Sequence, residues 1–216
     1  MWYVLPMRIV SLALFCTLFL VACRHEYADN PDPNHTHADV AVWIEGEKVD
    51  FSGDQYMSGL EDDHDHEHDH LHPHLHLHDG IGHVVHQHRP GLTFGEFLES
   101  VGFSFEGWEQ VCFVDEHQIK KCWPASGGNW RFFVNGKEVM CGPTEDCLHP
   151  LFVAKDYVFR DMDGLLLLFN ASDTDREAAF REITDDACLY SRTCPWRGDP
   201  PAENCIADPT VPCVVP

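Results

Sequence analysis

Residues 165–169 read LLLLF, five consecutive large apolar side chains with no polar residue at either parity. A run this short and continuous is a strand buried on both faces, so it belongs at the centre of a sheet rather than at an edge. The rest of the chain offers neighbours for it. Over residues 35–44, Val40, Val42 and Ile44 alternate with Asp39, Ala41 and Trp43, the period of a half-buried strand. Glu45-Gly46-Glu47 then turns the chain into a short partner at 48–51. Asn135-Gly136, between 131–134 and 137–140, is the strongest hairpin signal present. Thr93-x-x-Glu96 has the form of a capping box, and Phe94, Phe97, Leu98 and Val101 follow at i, i+3, i+4, i+7 before Gly102, which predicts one amphipathic helix. Residues 103–130 read as a Cys-containing insertion, and 141–163 as a stapled loop with a short extended piece at Val158-Phe159. A further helix is predicted over 172–187, opened by Thr174-x-x-Glu177 and striped by Phe180, Ile183 and Ala187. The fold class is therefore α+β: a small mixed sheet with one packed helix, then a C-terminal helix and a tail rich in Cys and Pro.

Between the first hairpin and the first helix lies a segment with no counterpart in an ordinary small domain. Residues 64–88 hold eleven of the sixteen histidines. Its first part, His64, His66, His68 and His70 alternating with Asp and Glu, has nothing to bury and is expected to be mobile without metal. In the second part Leu71, Leu75 and Leu77 share one parity while His72, His74, His76 and His78 share the other, a strand with a leucine face and a histidine face. Asp79-Gly80-Ile81-Gly82 signals a turn into a returning strand at 83–88. Two registers fit. If His78 pairs with His83, then residues 76, 78, 83 and 85 share a face. If a bulged turn pairs His78 with Gly82, then residues 74, 76, 78, 84, 86 and 88 share it, and glycines at 80 and 82 make the bulge inexpensive. The second register is the preferred one. Upstream, His35 and His37 lie on the parity opposite to the valine row.

The ends of the chain point outside the cytoplasm. Arg8 is followed by an uncharged apolar run over 9–22, too short and one-sided for a membrane span, as in a secretory signal. Its end, Leu20-Val21-Ala22-Cys23, resembles the lipobox of bacterial lipoproteins, which implies removal of 1–22 and lipid attachment at Cys23. Arg24 rather than Asp then favours the outer membrane in a two-membrane cell. Residues 23–34, with two prolines, read as a tether. Setting aside Cys16 and Cys23 leaves eight cysteines, an even number that reads as a disulfide framework in an exported chain. Neighbour pairing, Cys112–Cys122, Cys141–Cys147, Cys188–Cys194 and Cys205–Cys213, is preferred among the many connectivities. The tail at 188–216 holds four of these and cannot bury a core of its own.

The segments GLTFGEFLESVGF, WRFFVNGKEV and DMDGLLLLF are together similar to the β-grasp-like domain of the transcobalamin C-terminus and of many secreted proteins. The resemblance spans residues 35–170 and implies that 61–88 is an insertion in such a domain, with 171–216 appended. HTHAD and HLHDG-x-GHVVHQH also look like an uncharacterised family of exported, His-rich archaeal and bacterial proteins, which implies a common arrangement of His35, His37, His76, His78, His86 and His88. Some members of that family are named as disulfide isomerases. No cysteine spacing here is C-x-x-C, which argues against thiol exchange.

The function classes narrow accordingly. With 36 Asp and Glu against 14 Lys and Arg the chain is strongly acidic, which argues against nucleic acid as a partner and for a field that gathers cations. Imidazole suits zinc, copper and nickel, and the H-x-H pairs at 35/37, 76/78 and 86/88 could together fill a tetrahedral site, with His72, His74 and His83 as further candidates. Neither Met nor free Cys clusters there to select Cu(I). The expectation is a non-enzymatic, lipid-anchored protein of the cell envelope that captures or buffers zinc, with copper or nickel as alternatives and a metal transporter among the partners this allows. Two other classes stay open: a ligand-binding or adhesion module using Trp43, Trp108, Trp123 and Trp130, and a metal-dependent hydrolase with Asp39 or Asp79 as base. Two blander accounts of the histidines also stay open, a solvated run with incidental affinity and a pH sensor.

Overall fold

The computed structural model describes residues 25–57, 72, 74–125, 129–139 and 149–201. The expected signal, Cys23, His64, His66, His68, His70, Cys141–Cys147 and Cys205–Cys213 lie outside these residues. The strands in chain order are β1 (Thr36–Ile44), β2 (Glu47–Lys48), β3 (Leu75–His76), β4 (Val84–Gln87), β5 (Phe103–Glu106), β6 (Gln110–Val114), β7 (Lys120–Pro124), β8 (Trp130–Val134), β9 (Lys137–Glu138) and β10 (Asp163–Phe169). The helices are α1 (Phe94–Ser100), α2 (Pro150–Lys155), α3 (Asp173–Glu182) and α4 (Ala187–Tyr190). No helix among the described residues is long and apolar enough to cross a membrane.

β10 carries the LLLLF run and lies inside the main sheet, parallel to β1 on one side and antiparallel to β8 on the other. The strand order is β3-β4-β1-β10-β8-β9, with β2 also paired to β1. A parallel pair made by the first and last strands, an antiparallel arm on each side and a helix across one face is the β-grasp arrangement. Leu165, Leu167 and Phe169 enter the main core with Val40, Val42, Ile44 and the α1 residues Phe94, Phe97 and Leu98. Leu166 and Leu168 enter a second cluster with Ala41, Trp43, Phe133 and Ala179 of α3. β1 is thus buried on both faces, not half-buried as its alternation suggests, because α3 covers the face that Ala41 and Trp43 present.

Local signals account for several elements. Thr93 Oγ1 accepts from Glu96 N–H at 3.2 Å while Glu96 Oε2 accepts from Thr93 N–H at 2.6 Å, the full capping box. Asn135 and Gly136 take φ of 51° and 74°, the left-handed pair a tight hairpin needs. At α3 the expected cap is displaced: Ser172, not Thr174, forms the box, with Asp175 as its partner. The helix also stops at Glu182, so Ala187 belongs to α4 rather than to the predicted stripe.

Two segments hold more structure than their sequences signalled. Within the expected insertion, residues 103–124 form a second antiparallel sheet, β5-β6-β7, in which the cross-strand partners Cys112 and Cys122 are bridged. Within 141–163, α2 packs beside α1, and Val158 bridges Thr93 as an isolated pair. The second described bridge, Cys188–Cys194, closes the loop that follows α4.

Candidate metal centre

The β3–β4 hairpin decides which histidines meet. Its register pairs Leu75 with Gln87 and His76 with His86, and His88 N–H continues the ladder to the His74 carbonyl at 2.9 Å. The preferred register is therefore off by two residues: His78 stands level with Val84, not Gly82. A shift of two keeps every side chain on its face, so the predicted even-numbered histidine face survives. The cause lies in the turn. Asp79 and Gly80 adopt φ of 58° and 71°, and Ile81 N–H bonds the His78 carbonyl at 3.0 Å. Gly82 forms no bulge; a Cβ there would come within 2.5 Å of the Phe51 backbone, so its role is close approach.

On the far side of β4, His37 pairs with His86 and Asp39 with Val84. Across β3, β4 and β1 the rows are then His74, His88 and His35; His76, His86 and His37; and His78, Val84 and Asp39. The opposite face of the same strands presents Leu75, Leu77, Val85 and Ala38 to the main core. Imidazoles where stability alone would favour apolar side chains are costly to bury without partners.

Ligand-capable atoms of His35, His37 and His86 lie within 4.8 Å of one another, a group that could hold a metal ion. His37 and His86 are buried, and His35 is half-buried. Ring centroids are 4.7 Å apart for His35 and His37 and 4.7 Å for His37 and His86.

Hydrogen bonds to the other ring nitrogens assign the tautomers. Asp79 Oδ2 lies 2.6 Å from His78 Nδ1, so Nδ1 carries the proton and donates; His78 Nε2 is then bare and accepts from His86 Nδ1–H at 3.1 Å. The bare nitrogen of His86 is therefore Nε2, which is buried with no hydrogen-bond partner. A second chain reaches His37. Ser191 Oγ–H donates to Asp161 Oδ1 at 2.5 Å, so the hydroxyl accepts from His37 Nδ1–H at 2.8 Å and Nε2 is again the bare atom. In both chains a carboxylate stands one residue beyond the ligand, through Ser191 behind His37 and through His78 behind His86, a relayed form of the arrangement that fixes metal-binding imidazoles and raises their basicity.

Burial, and then the neighbouring histidines, push His76 and His86 well below the ordinary imidazole range, so both stay neutral and able to coordinate. Burial likewise lowers His72. Asp39 is committed elsewhere: its carboxylate accepts from Thr184 Oγ1 and from the backbone N–H groups of Asp186 and Ala187, capping α4. Burial pushes Asp39 up, against those three bonds. The clamp seats α4 over the histidine face, where Tyr190 meets the His37 ring at 5.5 Å and the His86 ring at 5.0 Å.

The remaining candidates are dispersed. His72 and His74 stand at the rim with rings 6.4 Å apart. His83 lies outside the group of three and pairs with Asp186 at 3.1 Å. The four tryptophans form no common surface: Trp43 lies in the second cluster, Trp130 in the main core with Trp123 against it, and Trp108 is 57 % exposed. Sequence reasoning missed Ser191, Asp161 and Tyr190. None carries a local signal, being 154 and 124 residues from His37 in the contacts Ser191 and Asp161 make. No family model, curated protein or solved structure matches the chain.

Proposed function

We propose that this chain is an exported, lipid-anchored protein of the cell envelope that binds a divalent transition metal through His35, His37 and His86 for capture or buffering. The observation that carries the reading is the convergence of three imidazoles, from His35 just before β1, His37 in β1 and His86 in β4, two of them held through Nδ1 by a hydrogen-bond chain that ends on a carboxylate. All-nitrogen ligation suits zinc first, with copper and nickel as competitors. Three protein ligands leave a fourth position for water. The acidic histidine run at 64–70, which shortly precedes His72 and His74 in the chain, would gather cations from solution. Engagement of Asp39 in the α4 cap supports a carrier over a hydrolase. Export is supported by the signal-like N-terminus and by the described disulfides, which persist in oxidising compartments.

Equilibrium dialysis of the mature chain against zinc at neutral pH, with and without residues 62–74, tests the binding. At least one ion per chain is expected in both forms, falling by one in His86→Ala. A stoichiometry below one in both forms refutes it. For the anchor, the Cys23→Ala variant should leave the membrane fraction; retention there refutes lipid attachment at this residue.

A further inference from the structure

The histidine face continues past the three ligands. His76 is cross-strand partner to His86, with parallel rings (8°) whose centroids are 6.1 Å apart, and it lies outside the group of three. Its Nε2 is buried with no hydrogen-bond partner, and the residue is only 4 % exposed. A buried polar atom left unsatisfied costs about 1–3 kcal/mol, a cost a bound ligand would remove. On the rim side His88 stacks on His76 at 4.9 Å and on His35 at 4.3 Å. His88 is half-buried, so this end of the face is the one reached from solvent.

We propose that His76 and His88 hold a second divalent transition-metal ion beside the one bound by His35, His37 and His86, making the face a two-ion site. The inference rests on the metal-binding reading above. Two imidazoles with waters completing the shell bind more weakly than three, so the outer position fills last and empties first. The His35 ring stacks on His88 at 4.3 Å and lies tilted by 48° against His37 at 4.7 Å, so this one imidazole borders both positions.

The test uses the full mature chain with His64, His66, His68 and His70 changed to Ser, which removes competing imidazoles. Zinc stoichiometry is read by dialysis and elemental analysis, and Cu(II) loading is followed by electron paramagnetic resonance. Two zinc ions per chain are expected, together with dipolar broadening as the second copper enters. His76→Ala and, at the more exposed position, His88→Gln should each leave one ion, whose affinity stays within about threefold, and abolish the broadening. His88→Gln serves as the readout if His76→Ala does not fold. One ion per chain, lost in His86→Ala and unaffected in His88→Gln, overturns the second position while leaving the first intact. Two ions that persist in both variants also overturn it. No bound ion in the parent chain refutes the metal-binding reading itself.

Discussion

Ser191→Ala isolates the contribution of the hydrogen-bond chain behind His37. The substitution removes the hydroxyl that accepts from His37 Nδ1 at 2.8 Å and donates to Asp161 at 2.5 Å. It leaves the surrounding loop tied, because Asp161 still accepts from His37 N–H at 3.1 Å and from Asn30 Nδ2 at 2.9 Å. Ser191 is 2 % exposed, so water does not readily replace the hydroxyl. Without it the His37 ring loses its preference for the tautomer with a bare Nε2. Loss of such a partner costs roughly 10–100-fold in metal affinity, or about 1.4–2.7 kcal/mol. The apo protein should separately lose about 1–3 kcal/mol from the buried donor left without its acceptor. Competition for zinc against a chelator of known affinity measures the first quantity, and urea denaturation with chelator in excess measures the second. Asp161→Asn, which keeps the shape and removes the charge, should fall between parent and Ser191→Ala in affinity. If zinc affinity in Ser191→Ala stays within twofold while stability falls, Ser191 is a packing residue and the reasoning fails.

Three further outcomes follow from the same geometry. His76 and His86 have folded-state pKa values below the unfolded one, so beneath about pH 6.5 the unfolded apo chain binds more protons than the folded one. Their contribution is intact above that pH and is lost as pH falls, by roughly 1.4 kcal/mol per pH unit for each; equal urea midpoints for the metal-free protein at pH 7.5 and pH 5 would contradict this. Replacing Cys188 and Cys194 by Ser should remove about 2 kcal/mol through the opened loop and weaken zinc binding as well, because the bridged segment carries Tyr190 and Ser191 over the site. Parent-like zinc affinity in that variant would separate the bridge from the metal centre. Leu167→Ala, at a fully buried position in the central strand, should cost about 2–5 kcal/mol in denaturant unfolding; a cost under 1 kcal/mol would mean that the strand is not the centre of the core.

Periodicity and turn chemistry, which depend only on near neighbours in the chain, were legible without coordinates. The apolar run at 165–169 placed β10 inside the sheet, Asn135-Gly136 set the β8–β9 turn, and Thr93 with Glu96 opened α1. The parity of the H-x-H pairs likewise determined that His76 shares a face with His78 and His86 with His88, since side-chain direction along a strand alternates whatever the strand pairs with; that both pairs share one face depended on the hairpin register. Which histidines form the group was decided by tertiary structure. The two-residue shift in the hairpin follows from the turn at Asp79-Gly80 and from Gly82 fitting against Phe51, a contact between segments far apart in the chain. The placement of His37 beside His86 depends on β1 joining β4 in one register. Asp161 and Ser191 reach His37 only after β10 has paired with β1 and Asp39 has capped α4. These contacts are set by packing among distant segments, so no local pattern could encode them.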